Sequence, residues 1–295
     1  MANGLAACLR PEDLLVVVNV GDDFEHLGLP ISPDLDTVCY TLAGLNDRER
    51  GWGLAGESWN FMAAIRELGG EDWFNLGDRD LATHIMRRSL LEAHSLSDVT
   101  RHISERLGIV HRIVPATDDR FRSIVHSDEG ALAFQDYFVR RRAEPVFRSI
   151  DFDGAEAARP SPAFAAALDD PDLEAIILCP SNPILSIAPI LAISGVRDRL
   201  RRSPAPVLAI SPFIGGEAIK GPAAKIFKEL NIPCSPQGLI SCLDDVVDAL
   251  VIDHADAVSP GTGLPTLATD TLMRDDAGQK RLAGDVLAFA RSVRR

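Results

Sequence analysis

Four aspartates crowd together in the stretch NVGDDFEHLGLPISPDLDT, which runs from residue 19 to residue 37. Asp22, Asp23, Asp34 and Asp36 fall within fifteen residues, beside an apolar run. Like charges at close range repel, so such a cluster normally holds a cation, shares a proton or lies open to water. Mg²⁺ in proteins is bound by one or two carboxylates together with substrate phosphates. The pattern therefore favours a Mg²⁺ site, with solvated surface carboxylates as the alternative.

Two further polar stretches follow apolar runs that are typical of strands. PSNP contains Ser181 and Asn182, and SPFIGGEAIKGPAAK contains Lys220 and Lys225. Ligands of open α/β sheets bind outside the carboxyl ends of the strands, where all these stretches are expected to lie. Backbone amides and the two lysines could bind a phosphate there. An ordinary Ser-Asn-Pro turn and solvated lysines are equally open readings, and the GxxxxGK[ST] motif is absent.

The stretch LGDRD adds Asp78 and Arg79 as candidate ligand-binding residues, although Asp78 would also serve as a helix N-cap. Several of the chain's few aromatic residues lie nearby, and they would suit either a core or a flat ring ligand. These aromatic residues are Trp52, Trp59, Trp73 and Phe74.

Strands that alternate with helices must position these residues. LLVVVNV (residues 14–20) is a continuous apolar run, typical of a strand buried on both faces. Ser32 and Pro33 predict a helix start, with the helix continuing to about residue 43. Later apolar runs in AIILC, PVLAI and ALVID are separated by helical patterns. We predict an α/β fold with a doubly wound, mostly parallel, Rossmann-like sheet that contains both LLVVVNV and AIILC.

The alternation of strand and helix patterns is interrupted between residues 46 and 159. This segment carries helical spacing and a predicted hairpin turn at residues 127–130. We therefore divide the chain into a nucleotide-binding core, residues 1–45 and 160–295, and a helical and hairpin insert, residues 46–159, that covers the carboxyl edge of the sheet.

Composition excludes several classes of protein. The 295 residues include 30 basic and 43 acidic side chains, a net charge of −13, which argues against a nucleic-acid or anionic membrane surface. Five cysteines without a CxxC pair indicate neither a zinc knuckle nor a disulfide framework. No apolar run approaches the roughly 18 residues of a membrane span, and the start lacks the basic residues of a signal peptide. We expect a cytoplasmic protein.

A set of motifs in order along the chain resembles the 2-phospho-L-lactate transferase family of deazaflavin coenzyme F-420 biosynthesis. ERGWG and GDRDLATHI are more similar to the bacterial phosphoenolpyruvate transferases of that family. The matching stretches are NVGDD, SPDLDT, RGWG, LGDRDLATH, PATDD, PSNPILSIAPILAI, SPFIGG, KGPAAK and DTLM.

The resemblance implies transfer of a phosphoenolpyruvyl or 2-phospho-L-lactyl group from a guanosine diphosphate donor to the terminal hydroxyl of the deazaflavin Fo, releasing GMP. Both partners are small molecules, and a homodimer is left open. Asp36 and residues 75–79 would belong to the Fo and metal site, and PSNP to the guanosine diphosphate side. The expected site residues are Asp22, Asp23 and Asp36 for catalysis and Mg²⁺, and Asn19, Asp34, Asn75, Asp78, Arg79, Ser181, Asn182, Lys220 and Lys225 for substrates.

Members of this family open with a strand and a glycine-rich loop of the form GGTGGAK, and by the match Met1 falls where that loop ends. We expect a chain that starts at Met1 to bind GDP weakly and to melt earlier than one that carries the strand.

Attack of an alcohol on a diphosphate needs in-line positioning, charge neutralisation and a proton acceptor. Two other functions remain open. The first is a regulator of the gluconeogenesis-factor type that binds a nucleotide sugar without turnover, and SPDLDT followed by LGDRDLATH argues against it. The second is an unrelated Mg²⁺-dependent phosphohydrolase, which explains only the aspartates.

Overall fold

The computed structural model describes residues 1–219, 221–243, 245–257 and 263–293. Runs of strands and runs of helices follow one another up to residue 153, and strands and helices alternate from residue 162 onward. The strands are β1 (Leu15–Val18), β2 (Phe24–His26), β3 (Leu29–Ile31), β4 (Arg112–Pro115), β5 (Arg122–Ser127), β6 (Gly130–Ala133), β7 (Phe147–Asp153), β8 (Ile176–Leu178), β9 (Val207–Ile210), β10 (Phe213–Ile214), β11 (Glu217–Ala218), β12 (Ala249–Asp253) and β13 (Thr266–Thr269). The helices are α1 (Ala2–Ala6), α2 (Pro33–Leu42), α3 (Asn60–Glu67), α4 (Asp80–Leu91), α5 (Leu96–Arg106), α6 (Pro162–Leu168), α7 (Ala188–Ala192), α8 (Val196–Arg202), α9 (Ala223–Glu229), α10 (Pro236–Leu243) and α11 (Asp276–Ala290).

A four-stranded parallel sheet in the order β13-β12-β9-β8 forms the centre of the carboxyl-terminal half. Its strands β9 and β12 are buried along their whole length, as their apolar sequences require for strands covered on both faces. The predicted strands in AIILC, PVLAI and ALVID are therefore confirmed, and with them the α/β class and the parallel sheet.

The expectation that β1 and β8 share one sheet is wrong. β1 pairs in parallel with β4, whereas β8 pairs with β9 in the other sheet. Since β4 is the only strand paired with β1 in the described chain, residues 15–17 are half-buried rather than covered on both faces. Apolar periodicity identifies each strand but carries no information on which strand lies beside it. Side chains of both sheets nevertheless join one hydrophobic core, which includes Val18 and Val207.

The region from residue 46 to residue 159 contains helices α3, α4 and α5 and an antiparallel sheet in the order β6-β5-β7. Its hairpin pairs Ser127 with Gly130, as predicted. The same region also supplies β4 to the parallel pair, so it is joined to the core by strand pairing as well as by chain connection. The domain boundaries at residues 45 and 159 stay a prediction.

Helix α2 presents two aspartates at the end of β1. Pro33 occupies its first position and Ser32 its N-cap, as the sequence predicts. The Ser32 hydroxyl does not cap the helix, however, but donates to Asp23. In the part of the chain that the structure describes, no helix is both long and apolar enough to cross a bilayer.

Candidate active site

Two aspartates at the carboxyl end of β1 and the start of α2 share one amide group. Asn19 Nδ2 donates to Asp22 Oδ1 at 2.9 Å and to Asp34 Oδ2 at 3.1 Å, while Asn19 Oδ1 accepts from the Gly21 backbone nitrogen. Asn19 and Asp22 are buried. Asn19, predicted to bind substrate, thus uses its whole amide group to hold the turn and the two carboxylates together.

The Asp22–Asp34 pair is electrostatically costly in its ionised form. Burial raises the pKa of Asp22 well above its usual value, and the charge of Asp34 adds to the effect. Burial also raises the pKa of Asp34, against the Asn19 hydrogen bond, which lowers it. Carboxylates arranged in this way either share a proton or bind a cation, because both cannot ionise freely in a buried site.

Asp23 is buried beside the pair and has a different environment. Its Oδ2 accepts from Ser32 Oγ at 2.8 Å, whereas its Oδ1 is buried without a hydrogen-bond partner among the described residues. Burial raises the pKa of Asp23 to about 7, although the positive charges of Arg122 and Arg87 oppose the rise. A carboxylate with a pKa near neutrality is suited to accept and release a proton.

Asp36 lies in the first turn of α2 and is 6% exposed, so it is not a surface partner of the helix dipole. Its Oδ1 accepts from Arg87 of α4, which is itself 2% exposed. Its Oδ2 is buried without a hydrogen-bond partner in the described chain. Asp36 therefore combines a buried ion pair with one oxygen that has no donor.

Among the described residues, one group of three metal-ligating side chains comes together, and it consists of Asp36, Asp80 and His84. The ligand atoms of this group lie within 4.8 Å of one another. The predicted group of Asp22, Asp23 and Asp36 is not such a group among the described residues, and the assignment of all three to one ion stays a prediction.

The turn after β1 is fitted closely to the antiparallel sheet of the predicted insert. The Ser123 backbone nitrogen of β5 donates to the Gly21 carbonyl at 2.8 Å, and a Cβ at Gly21 would lie 2.6 Å from Ser123 Oγ. Gln135 Nε2 donates to the Asp22 carbonyl at 3.1 Å. The predicted insert thus covers the carboxyl end of β1, where the aspartates lie.

Three predicted substrate residues, Asn75 and the Asp78 and Arg79 of LGDRD, lie just before the start of α4. Asn75 and Arg79 are exposed, and Arg79 donates to the carbonyl of Ala55. Asp78 accepts from the backbone nitrogens of Asn60 and Phe61, so it caps α3 rather than α4. Hydrogen bonds, the largest from Ser58, lower the pKa of Asp78 to about 2.

We expect Asp78→Ala to lower the free energy of unfolding, because the backbone amides of Asn60 and Phe61 at the start of α3 lose their cap. Urea melts of the purified protein measure this loss. Asp72→Ala is the control, because Asp72 lies in the same region but pairs with Arg66 at the surface. If the two variants were equally stable and only the Asp78 variant had a raised KM for Fo, Asp78 would instead be a substrate-binding residue, as the sequence predicts.

The residues predicted to bind the guanosine diphosphate-linked donor differ in the contacts that they make. Asn182 Oδ1 accepts from the backbone nitrogens of residues 184 and 185, but its Nδ2 is buried without a described partner. Ser181 is half-buried beside it. Lys225 is paired with Glu229 at 2.7 Å and donates to the Pro145 carbonyl. Lys220 lies outside the described residues.

Four residues near the aspartates were not identified from the sequence. Asp80, His84 and Arg87 recur at helical spacing along one face of α4, but nothing local shows that this face meets Asp36, 51 positions from Arg87. Arg122 precedes Ser123 in β5 and donates to the Phe121 carbonyl. Its charge acts on Asp23.

Fold and site together define an α/β protein with a carboxylate-rich ligand site at the carboxyl end of a parallel strand. Comparison with known proteins narrows this class. The sequence profile of the family described as 2-phospho-L-lactate transferase CofD matches residues 1–274, and the chain belongs to this family. The chain is accordingly a transferase of coenzyme F-420 biosynthesis.

Curated relatives match over most of their length. The phosphoenolpyruvate transferase of Kitasatospora aureofaciens is 38% identical, over 99% of this chain and 94% of that protein. The 2-phospho-L-lactate transferase of Methanopyrus kandleri is 39% identical, over 95% of this chain and 91% of that protein. Among solved structures, a UPF0052 family protein from Bacillus halodurans has a similar fold, with a TM-score of 0.59 at 13% identity over 97% of this chain and 94% of that one.

Proposed function

We propose that this protein transfers a phosphoenolpyruvyl or 2-phospho-L-lactyl group from a guanosine diphosphate-linked donor to the terminal hydroxyl of the deazaflavin Fo, with release of GMP. The observation that carries the proposal is the cluster of buried carboxylates at the carboxyl end of β1 in a chain of this family. Such a cluster suits a reaction in which diphosphate charge is neutralised and a hydroxyl proton is accepted.

A divalent cation fits the donor set. The Asp22–Asp34 pair and the unpartnered Oδ2 of Asp36 offer hard oxygen ligands, which Mg²⁺ prefers. We propose that one or two of these carboxylates, rather than all three together, would hold the ion, with oxygens of the donor diphosphate completing its coordination. When bound, Mg²⁺ would neutralise the diphosphate charge and help to orient the donor.

Asp23 has the properties of the proton acceptor in this reaction. Its raised pKa places it close to the pH at which it would work, and its Oδ1 has no competing donor among the described residues. Asn182 Nδ2, in the loop after β8, is a buried donor without a hydrogen-bond partner among the described residues, and it is suited to a phosphate or carboxylate oxygen of the donor. The chain needs no covalent nucleophile, because the attacking oxygen belongs to the acceptor.

The test is a reaction of the purified protein with Fo and each of the two guanosine diphosphate-linked donors. We expect a deazaflavin product that carries the three-carbon acid through a phosphodiester, GMP in equal amount, and loss of both in EDTA with recovery in excess Mg²⁺. The relative kcat/KM of the two donors identifies the preferred acid. Tight binding of nucleotide without any turnover, with Fo and Mg²⁺ present, would exclude the transferase and favour the regulator.

A further inference from the structure

A chain of buried polar residues leads from Asp36 to the phenol of Tyr40, one turn further along α2. Asp36 is paired with Arg87, and Arg87 Nη1 lies 3.1 Å from His84 Nδ1. His84 Nε2 lies 3.2 Å from Asp80 Oδ2, and the Tyr40 hydroxyl donates to Asp80 Oδ1. Tyr40, His84 and Arg87 are each at most 2% exposed. Polar groups this deep are costly unless they satisfy one another.

The donors in this chain can be assigned from its chemistry. A guanidinium only donates, so His84 Nδ1 must accept from Arg87, and the ring proton is then on Nε2. The nitrogen that carries this proton lies 3.2 Å from Asp80 Oδ2. The distance from His84 Nδ1 to Asp36 Oδ2 is 3.7 Å, too long for a hydrogen bond, so Arg87 is the link between them.

This assignment argues against a metal ion within the group of Asp36, Asp80 and His84. His84 Nδ1 already accepts from Arg87, His84 Nε2 lies 3.2 Å from the Asp80 carboxylate, and the Arg87 guanidinium supplies the positive charge that an ion would bring. Arg87 Nη1 also lies 3.4 Å from the Pro30 carbonyl, which helps to hold the guanidinium in place.

We propose that Arg87, His84, Asp80 and Tyr40 are positioning residues that hold Asp36 by one oxygen and leave the other, Oδ2, for the reacting groups. The inference rests on the transferase function proposed above. Arg87 fixes Oδ1, and His84 and Asp80 fix Arg87 in turn. The first and last links, from Arg87 to Asp36 and from Tyr40 to Asp80, join α4 to α2, so the network also sets the position of α4 relative to the aspartates.

Position at this site matters because metal and substrate contacts tolerate little displacement. Residues that orient a ligating carboxylate from behind change activity by about 10-fold to 100-fold when removed. The network therefore predicts a kinetic effect that is separable from folding.

The experiment replaces His84 in two ways. Gln can accept from Arg87 and donate to Asp80, whereas Leu can do neither. We expect His84→Leu to lower kcat by about 10-fold to 100-fold with KM for the donor nearly unchanged, and His84→Gln to restore most of the loss. His26→Leu is the matched control, because His26 is also 2% exposed but packs against Trp73 and Phe74.

A second measurement needs no activity. Nitrogen-15 NMR of the metal-free wild-type protein reports the His84 tautomer, and we expect the proton on Nε2. A proton on Nδ1, equal kcat loss in the Leu and Gln variants, or an equal loss in His26→Leu would each overturn the positioning role. Stoichiometric zinc bound by wild type and lost in His84→Gln would overturn it too. If the wild-type protein has no transferase activity, the proposed function is rejected. The His84 tautomer alone then tests the hydrogen bonds assigned to the network.

Discussion

Asp36→Asn should lower turnover by about 100-fold or more, which is several kcal/mol of transition-state stabilisation. The loss follows from the position of Asp36 among the site aspartates and from its unpartnered Oδ2, which Asn replaces with a neutral atom or a donor. The measurement is the rate of deazaflavin product formation at saturating Mg²⁺ and donor. Near-wild-type turnover in the folded variant would leave Asp22, Asp23 and Asp34 as the metal candidates.

The same substitution should also cost stability, which the sequence alone did not predict. A surface charge at a helix start contributes about 0.3–1 kcal/mol. Asp36 instead pairs with a fully buried Arg87, and breaking a buried pair by removing one partner costs about 3–5 kcal/mol. Turnover must therefore be measured where melting shows the variant folded.

Asp98→Asn is the matched control for this prediction. Asp98 also lies in the first turn of a helix, α5, but its side chain is half exposed and remote from the aspartates in the sequence. We expect small changes in stability and none in turnover. A loss of turnover in Asp98→Asn equal to that in Asp36→Asn would show that general weakening of a helix, rather than the site, is being measured.

Local features of the fold could be predicted from the sequence because the forces that set them are local. Ser32 and Pro33 mark the start of α2, and residues 127–130 close a hairpin, since each depends on the backbone preferences of a few neighbouring residues. Apolar runs likewise located β8, β9 and β12.

Pairings between distant segments could not be predicted in this way. The strand that pairs with β1 is β4, which lies within the predicted insert. The paired residues Leu15 and Arg112 are 97 positions apart in the sequence. Asp78 was recognised as a capping residue, but the capped helix is α3, because Asn60 and Phe61 fold back onto it. Both outcomes depend on chain packing that periodicity does not describe.

The residues of the candidate site also differ in whether they could be predicted from the sequence. Asp22, Asp23, Asp34 and Asp36 could be picked out because they are close in sequence and their charges conflict. Arg87 could not, since an arginine in the middle of an amphipathic helix normally faces solvent. Its burial becomes meaningful only when α4 packs against α2 and Asp36 is found opposite.

The stability of the protein should depend on pH through Asp23. Burial raises its pKa to about 7 in the folded state, above the ordinary value of 3.8. The folded state therefore binds a proton that the unfolded state releases between these values, so this contribution to stability is complete below about pH 4 and is lost as pH rises through about 7. Above pH 7 the folded protein carries an ionised, buried carboxylate.

Asp23→Asn removes that ionisation, so we expect the metal-free variant to be more stable than wild type by about 2–4 kcal/mol at pH 8.5, with the difference shrinking toward pH 5. Urea melts in EDTA across this pH range measure it. Asp72→Asn should show no such gain, because the Arg66 hydrogen bond lowers the pKa of Asp72.

The same Asp23→Asn protein should lose turnover by about 100-fold or more, since it has no proton acceptor. A stability gain with unchanged turnover would remove Asp23 from the chemistry, and a variant no more stable than wild type at pH 8.5 would show that its carboxylate ionises there without penalty.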